Sequence, residues 1–138
     1  MRILAIDYGS KRTGIAVTDP LRIIATALET VATSDLYDYL TAYCAREPVS
    51  TIVVGEPLNT DGTPAQTAES VAACVAKLRI LFPTIEIDTY DERFTSIIAK
   101  KRMLSMGLKK KDRRDKGLID KISAVIILED YLMFKGIF

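Results

Sequence analysis

The sequence predicts a mixed α/β fold, and three observations carry that reading. Its first thirty residues hold three β-prone stretches in succession. Strand-like and helix-like segments alternate after that. No repeat or change of composition interrupts the 138 residues, so the expectation is one domain spanning 1–138.

Ile3-Leu4-Ala5-Ile6 is an unbroken apolar run ended by Asp7 and Gly9, as suits a central strand covered on both faces. Thr13–Thr18 reads as a second strand, joined to the first by a polar turn containing Gly9, Ser10, Lys11 and Arg12. About Arg22 to Val31 a third β-prone stretch completes an antiparallel set. Leu36, Tyr39, Leu40, Tyr43 and Cys44 then recur at helical spacing, with Ser34 or Asp35 as the cap and Pro48 beyond the end. Tyr37, Tyr39 and Tyr43 read as a packing face of that helix rather than a base-stacking surface.

Thr51-Ile52-Val53-Val54 is a short buried strand stopped by Gly55. The segment 57–64, with Asn59, Asp61 and Gly62 between two prolines, reads as a loop. A helix follows, with Thr63 as cap, Pro64 in its first turn, and Val71, Val75 and Leu78 facing inward. Ile85–Tyr90 alternates like a strand with one wet face. Thr95 or Ser96 opens another helix, which Gly107 closes. Residues 109–117 contain no apolar side chain and read as a solvent loop, before a last helix over about 118–134. Such a pattern is a mixed sheet covered by helices, with ligands expected at the carboxyl ends of its strands.

Composition excludes several classes of function. The chain has no histidine, which removes imidazole bases, histidine-ligated zinc and the Ser-His-Asp triad. Its apolar runs fall far short of the ~20 residues of a membrane span, and the opening Met1-Arg2, followed at once by a short apolar run and Asp7, leads us to expect no secretory leader. Cys44 and Cys74 lie in no pairing motif, so a reduced cytoplasmic protein is expected. The net charge of +1 conceals a division: residues 1–92 carry −6, residues 93–121 carry +8, and the remainder −1. A basic block beside an acidic body suits a polyanionic partner, although such a run is also what a solvated face looks like.

Three carboxylates stand out by position. Asp7 ends the first strand, Glu92 follows another, and Asp120 falls in the expected first turn of the last helix. Each has an ordinary explanation: a turn for Asp7, an ion pair with Arg93 for Glu92, and the helix dipole for Asp120. Together they can converge at one sheet edge, where their mutual repulsion calls for a cation. Oxygen-only ligands suit Mg²⁺ or Mn²⁺, and two such ions ~4 Å apart can activate water against a phosphodiester. Asn59 and its loop amides can hold a phosphate or sugar, and Lys11 and Arg12 sit where a backbone phosphate can pass. Lys109, Lys110, Lys111, Arg113 and Arg114 form the densest part of the basic block.

Four ordered segments, Ile6–Lys11 (IDYGSK), Val53–Gly62 (VVGEPLNTDG), Asp91–Ser96 (DERFTS) and Asp120–Glu129 (DKISAVIILE), make the whole chain resemble the YqgF family. These are RuvX-like bacterial nucleases related to Holliday-junction resolvases. The resemblance implies a ribonuclease H-like fold and hydrolysis of precursor 16S ribosomal RNA in 5′-end maturation, with the ribosomal particle as a partner. By the same resemblance, Asp7, Glu92 and Asp120 are the metal-binding catalytic residues. Family members often carry an apolar residue in place of Glu56, and related resolvases take an acid from the end of that strand. Glu56 is therefore a rival or supplement to Glu92. The alternatives are a resolvase of branched DNA, which would work as a homodimer rather than a monomer, and a non-catalytic RNA-binding factor. An actin-like ATP-binding fold needs two such domains, more chain than is present here.

Overall fold

The computed structural model describes residues 1–56, 68–91, 95–105, 107 and 115–138. Five strands, β1 (Arg2–Asp7), β2 (Arg12–Thr18), β3 (Ala25–Ala32), β4 (Val49–Glu56) and β5 (Glu86–Asp91), form one sheet in the order β3-β2-β1-β4-β5. The β1–β2 and β2–β3 pairs are antiparallel, whereas β4 runs parallel to both β1 and β5. Helices α1 (Leu36–Arg46), α2 (Ala68–Leu81), α3 (Thr95–Ser105) and α4 (Lys116–Phe134) complete the described elements. The expected α/β fold with three antiparallel N-terminal strands and flanking helices is what forms.

Side-chain alternation divides the core between two faces. Leu4, Ile6, Ile15, Val17, Ile52 and Val54 pack against Leu36, Leu40 and Tyr43 of α1 and Val71, Cys74, Val75 and Leu78 of α2. The intervening positions Ile3, Ala5, Ala16 and Val53 pack against Ala124, Ile127, Leu128, Tyr131 and Leu132 of α4. Small residues at 5 and 16 let α4 lie close to the sheet. On its outer side α4 meets α3, where Ala99 and Met103 join Ile122 and Ile126, and Arg102 reaches Glu129 at 2.6 Å. Tyr37 and Tyr39 pack against the core beside the buried Tyr43, as expected of a packing face. Cys44 and Cys74 are both free thiols. Among the described residues no helix is long and apolar enough to cross a membrane.

Several boundaries differ from expectation for local reasons. Strand β3 starts at Ala25 because Asp19 gathers the preceding residues into a turn. Its carboxylate accepts the amides of Leu21, Ile23 and Ile24, with Arg22 at φ 59°. These bonds draw the Asp19 pKa down. Neither Ser34 nor Asp35 caps α1 through its side chain, since Thr33–Asp35 form a 3₁₀ turn running directly into the helix. The last helix begins at Lys116, because Asp115 caps it by accepting the Leu118 amide at 3.2 Å. Lys116 and Gly117 are thus helical rather than loop, and Asp120 lies past the first turn, where the helix dipole acts weakly. Gly107 does close its segment, at φ 72° with its amide on the Leu104 carbonyl. The proposed cap Thr63, Pro64 and the whole of the loop segment 57–64 lie outside the described residues.

Candidate nuclease site

Strand β1 ends at Asp7 on the face covered by α4, as alternation from Ile3 and Ala5 requires. Its register partner on β2 is Gly14. A Cβ at position 14 would overlap the carbonyl carbon and oxygen of Asp120, so only glycine allows the first turns of α4 this near the sheet. Gly14 is thereby the hinge point of the site: one neighbour is Asp7, the other Asp120. Thr30 secures the same approach from β3, donating its hydroxyl to the Gly117 carbonyl at 2.6 Å. The sequence offers Gly14 only as a member of a strand; a glycine within a β run is the signal for a close backbone approach.

Asp120 is half-buried, and burial pushes its carboxyl above the ordinary range. Arg12 opposes that shift, its Nε donating to Oδ2 of Asp120 at 2.7 Å, while Asp115 adds to it. Arg12 is therefore the first residue of β2 and an ion-pair partner, not simply an exposed turn cation. The turn behind it is firmly held. Thr33 donates its amide to the Lys11 carbonyl and its hydroxyl to the Gly9 carbonyl, and the Thr13 and Thr33 hydroxyls are 2.8 Å apart. Gly9, Ser10, Lys11 and Arg12, with Lys116 and Asp120 of α4, line a cleft of about 310 Å³. Lys116 is a cation of this cleft that the sequence presents only within a longer basic run.

Glu56 is not brought to the same place. It ends β4 two residues beyond Val54, on the face covered by α1 and α2, and lines a separate cleft of about 250 Å³ with Val71, Val75 and Arg79. Its register partner on β5 is Asp91, also exposed. Glu92, Asn59, Arg93, Lys109, Lys110, Lys111, Arg113 and Arg114 lie outside the described residues. Among the described residues no three acidic or cysteine side chains are grouped as a metal site. Asp7 and Asp120 nevertheless offer the donors a hard divalent cation takes, all oxygen and no nitrogen or sulfur. The raised pKa of Asp120 also marks a carboxylate whose ionised form is helped by a nearby positive charge.

Three antiparallel strands followed by two parallel ones, with an acid at the end of the first strand and another on a helix crossing its face, define the ribonuclease H-like class. Solved structures bear out the fold. The Thermus thermophilus RuvC structure in complex with a Holliday junction substrate superposes with a TM-score of 0.58 at 16% identity, over 99% of this chain and 97% of that one. The fowlpox virus resolvase in its complex with Holliday junction DNA gives 0.62 at 11% identity, covering 98% and 99%. The chain belongs to the RuvX family, whose model, described as "Holliday junction resolvase", matches residues 1–133. It is 50% identical to a Phocaeicola vulgatus protein named "Putative pre-16S rRNA nuclease", over 97% of this chain and 96% of that one. A Parabacteroides distasonis protein of the same name is 52% identical over the same shares.

Proposed function

We propose that this protein is a metal-dependent endonuclease that hydrolyses phosphodiester bonds in precursor 16S ribosomal RNA. The observation that supports the proposal is the close packing of the Asp120 backbone on Gly14, the register partner of Asp7, at the end of β1. The shared name of relatives at about half identity supports RNA as the substrate. Asp7 and Asp120 would hold Mg²⁺ or Mn²⁺, with Glu92 as the third ligand. Strand β5 presents Asp88 and Tyr90 on the α4 side, where Asp88 accepts from Tyr131 at 2.8 Å and Tyr90 packs edge-on against its ring. Glu56, on the opposite face, is left without a part in the chemistry.

Divalent ions in such a site activate water and stabilise the leaving oxygen of the phosphodiester. The protein's own contribution is placement and charge. The sheet fixes Asp7, α4 fixes Asp120, and the threonine-braced turn fixes the rim of the cleft. Lys11, Arg12 and Lys116 make that rim positive, so a phosphate strand is drawn along it. Asn59, Arg93 and the cations Lys109, Lys110, Lys111, Arg113 and Arg114 would extend the nucleic-acid path.

The test is cleavage of a labelled precursor 16S RNA 5′ leader with Mg²⁺ or Mn²⁺, comparing the wild type with Asp7→Asn, with a DNA four-way junction in parallel. Metal-dependent cutting of the RNA that vanishes in the folded variant is the expected result. Cutting of the junction alone would transfer the reading to branched DNA. Binding without cutting of either substrate would make the protein an RNA-binding factor.

A further inference from the structure

We propose that Arg12 is an exchangeable counter-ion: it neutralises Asp120 until a divalent cation takes that carboxylate, then turns into the adjoining cleft to hold a substrate phosphate. The inference rests on reading Asp7 and Asp120 as cation ligands. It goes further by giving one arginine two successive partners and so linking metal loading to nucleic-acid binding.

The geometry supplies both partners within reach of one side chain. Arg12 engages Asp120 through Nε at 2.7 Å. The Asp120 side chain is 19% exposed, whereas that of Arg12 is 39% exposed. The carboxylate is thus held in the fold and the arginine is free to turn about its own bonds. Its backbone does not need to move, since Arg12 pairs with Ala32 on β3 and the turn before it is tied to Thr33. The cleft beside it is lined by Gly9, Ser10, Lys11 and Lys116.

Charge decides the direction of the exchange. The Arg12–Asp120 pair is neutral, and Arg12 is the cation that most strongly favours the ionised Asp120. A divalent ion on the same oxygens cancels the attraction and repels the guanidinium at short range. A guanidinium displaced from a carboxylate is well suited to a phosphate, which it engages through the same planar set of donors. Binding is then reciprocal: metal frees Arg12 for the phosphate, and a phosphate that occupies Arg12 leaves Asp120 to the metal.

Mn²⁺ binding to the wild type, Arg12→Gln and Arg12→Lys, measured by calorimetry without nucleic acid, tests the exchange. Arg12→Gln should bind Mn²⁺ about five- to tenfold more tightly than the wild type, with Arg12→Lys between them. A labelled RNA oligonucleotide should bind the wild type more tightly in Ca²⁺ than in EDTA, and Arg12→Gln should lose most of that gain. In the wild type itself, where folding is not in question, Mg²⁺ should speed solvent exchange of the Arg12 Nε–H. Unchanged or weaker Mn²⁺ binding in a folded Arg12→Gln, or an Nε–H indifferent to Mg²⁺ that is shown to bind, would overturn the exchange and leave Arg12 a fixed brace. A wild type that binds neither Mn²⁺ nor Mg²⁺ would instead remove the cation site, and the exchange with it.

Discussion

Asp7 and Glu56 end neighbouring parallel strands at the same edge of the sheet, yet they face different halves of the molecule. Asp7 follows Ile3 and Ala5 onto the side of α4, where Asp120 approaches over Gly14. Glu56 follows Ile52 and Val54 onto the side of α2, among Val71, Val75 and Arg79. The two acids share chemistry and secondary structure, and what separates them is whether their position in the alternation is odd or even. Each of the two has an acidic neighbour, Asp120 over Gly14 for Asp7 and Asp91 on β5 for Glu56, and it is the Asp120 side that adjoins the cleft lined by Lys11, Arg12 and Lys116.

The largest effect should come from exchanging charge on the two sides. Asp7→Asn is expected to lower the cleavage rate about a thousandfold or more, the scale on which removing a preorganised charge-stabilising group acts. Glu56→Gln should stay within about threefold of the wild type, and a loss comparable to that of Asp7→Asn would end the distinction drawn here.

Next comes the contact that makes the α4 side special. Gly14→Val sets a branched side chain against the Asp120 backbone, so we expect about 2–3 kcal/mol of destabilisation in urea titration. Residual folded protein should bind Mn²⁺ poorly, because α4 can then lie only farther from β1.

The dependence on pH should be smaller, and it has a definite sign. Burial holds the Asp120 pKa above its unfolded value, so the stability linked to its protonation is present below the unfolded value of 3.8 and is lost as pH rises through the folded one. At neutral pH the ionised group therefore detracts from stability. Asp120→Asn should melt no lower than the wild type at pH 7 while binding Mn²⁺ far more weakly. Wild-type Mn²⁺ affinity should begin to fall with acidification at a pH above the usual carboxylate range.

Smallest of all should be a change at the far end of the same helix. Tyr131→Phe removes the bond to the Asp88 carboxylate and should cost about 1 kcal/mol in stability, with cleavage unaltered. Impaired cleavage there would mean that the two ends of α4 are energetically coupled.

Much of this fold was legible as sequence because single residue types reported directly on it. The apolar run Ile3–Ile6 could only be a doubly covered strand, and the spacing of Leu36, Leu40 and Tyr43 named the buried side of α1. The errors fell where a short polar side chain overruled the pattern. Ile23 and Ile24 favour a strand on intrinsic grounds, but Asp19 takes their amides into a turn. Lys116 and Gly117 resemble loop, but Asp115 caps the helix ahead of them. In the site, Asp7 and Asp120 could be singled out as acids at element ends and expected near one sheet edge, whereas the contact that brings the Asp120 backbone onto Gly14 could not be named. The approach of α4 to the sheet at Gly14 is a long-range arrangement, and its one local sign, a glycine inside a β run, does not say which element comes close. The opposite orientation of Glu56 was present in the alternation of β4, but which face carries α4 was not.

The Arg12–Asp120 pair joins residues 108 positions apart, and the helix that supplies Asp120 follows every strand in chain order. Synthesis from the N-terminus therefore completes the sheet, with Asp7 in place, before the second carboxylate exists to meet it. A nascent or prematurely ended chain has Asp7 and Arg12 but lacks the carboxylate that pairs with Arg12. On the proposed reading of the site, a chain ending before Asp120 is therefore expected to fold its sheet without cutting RNA, with no inhibitor needed.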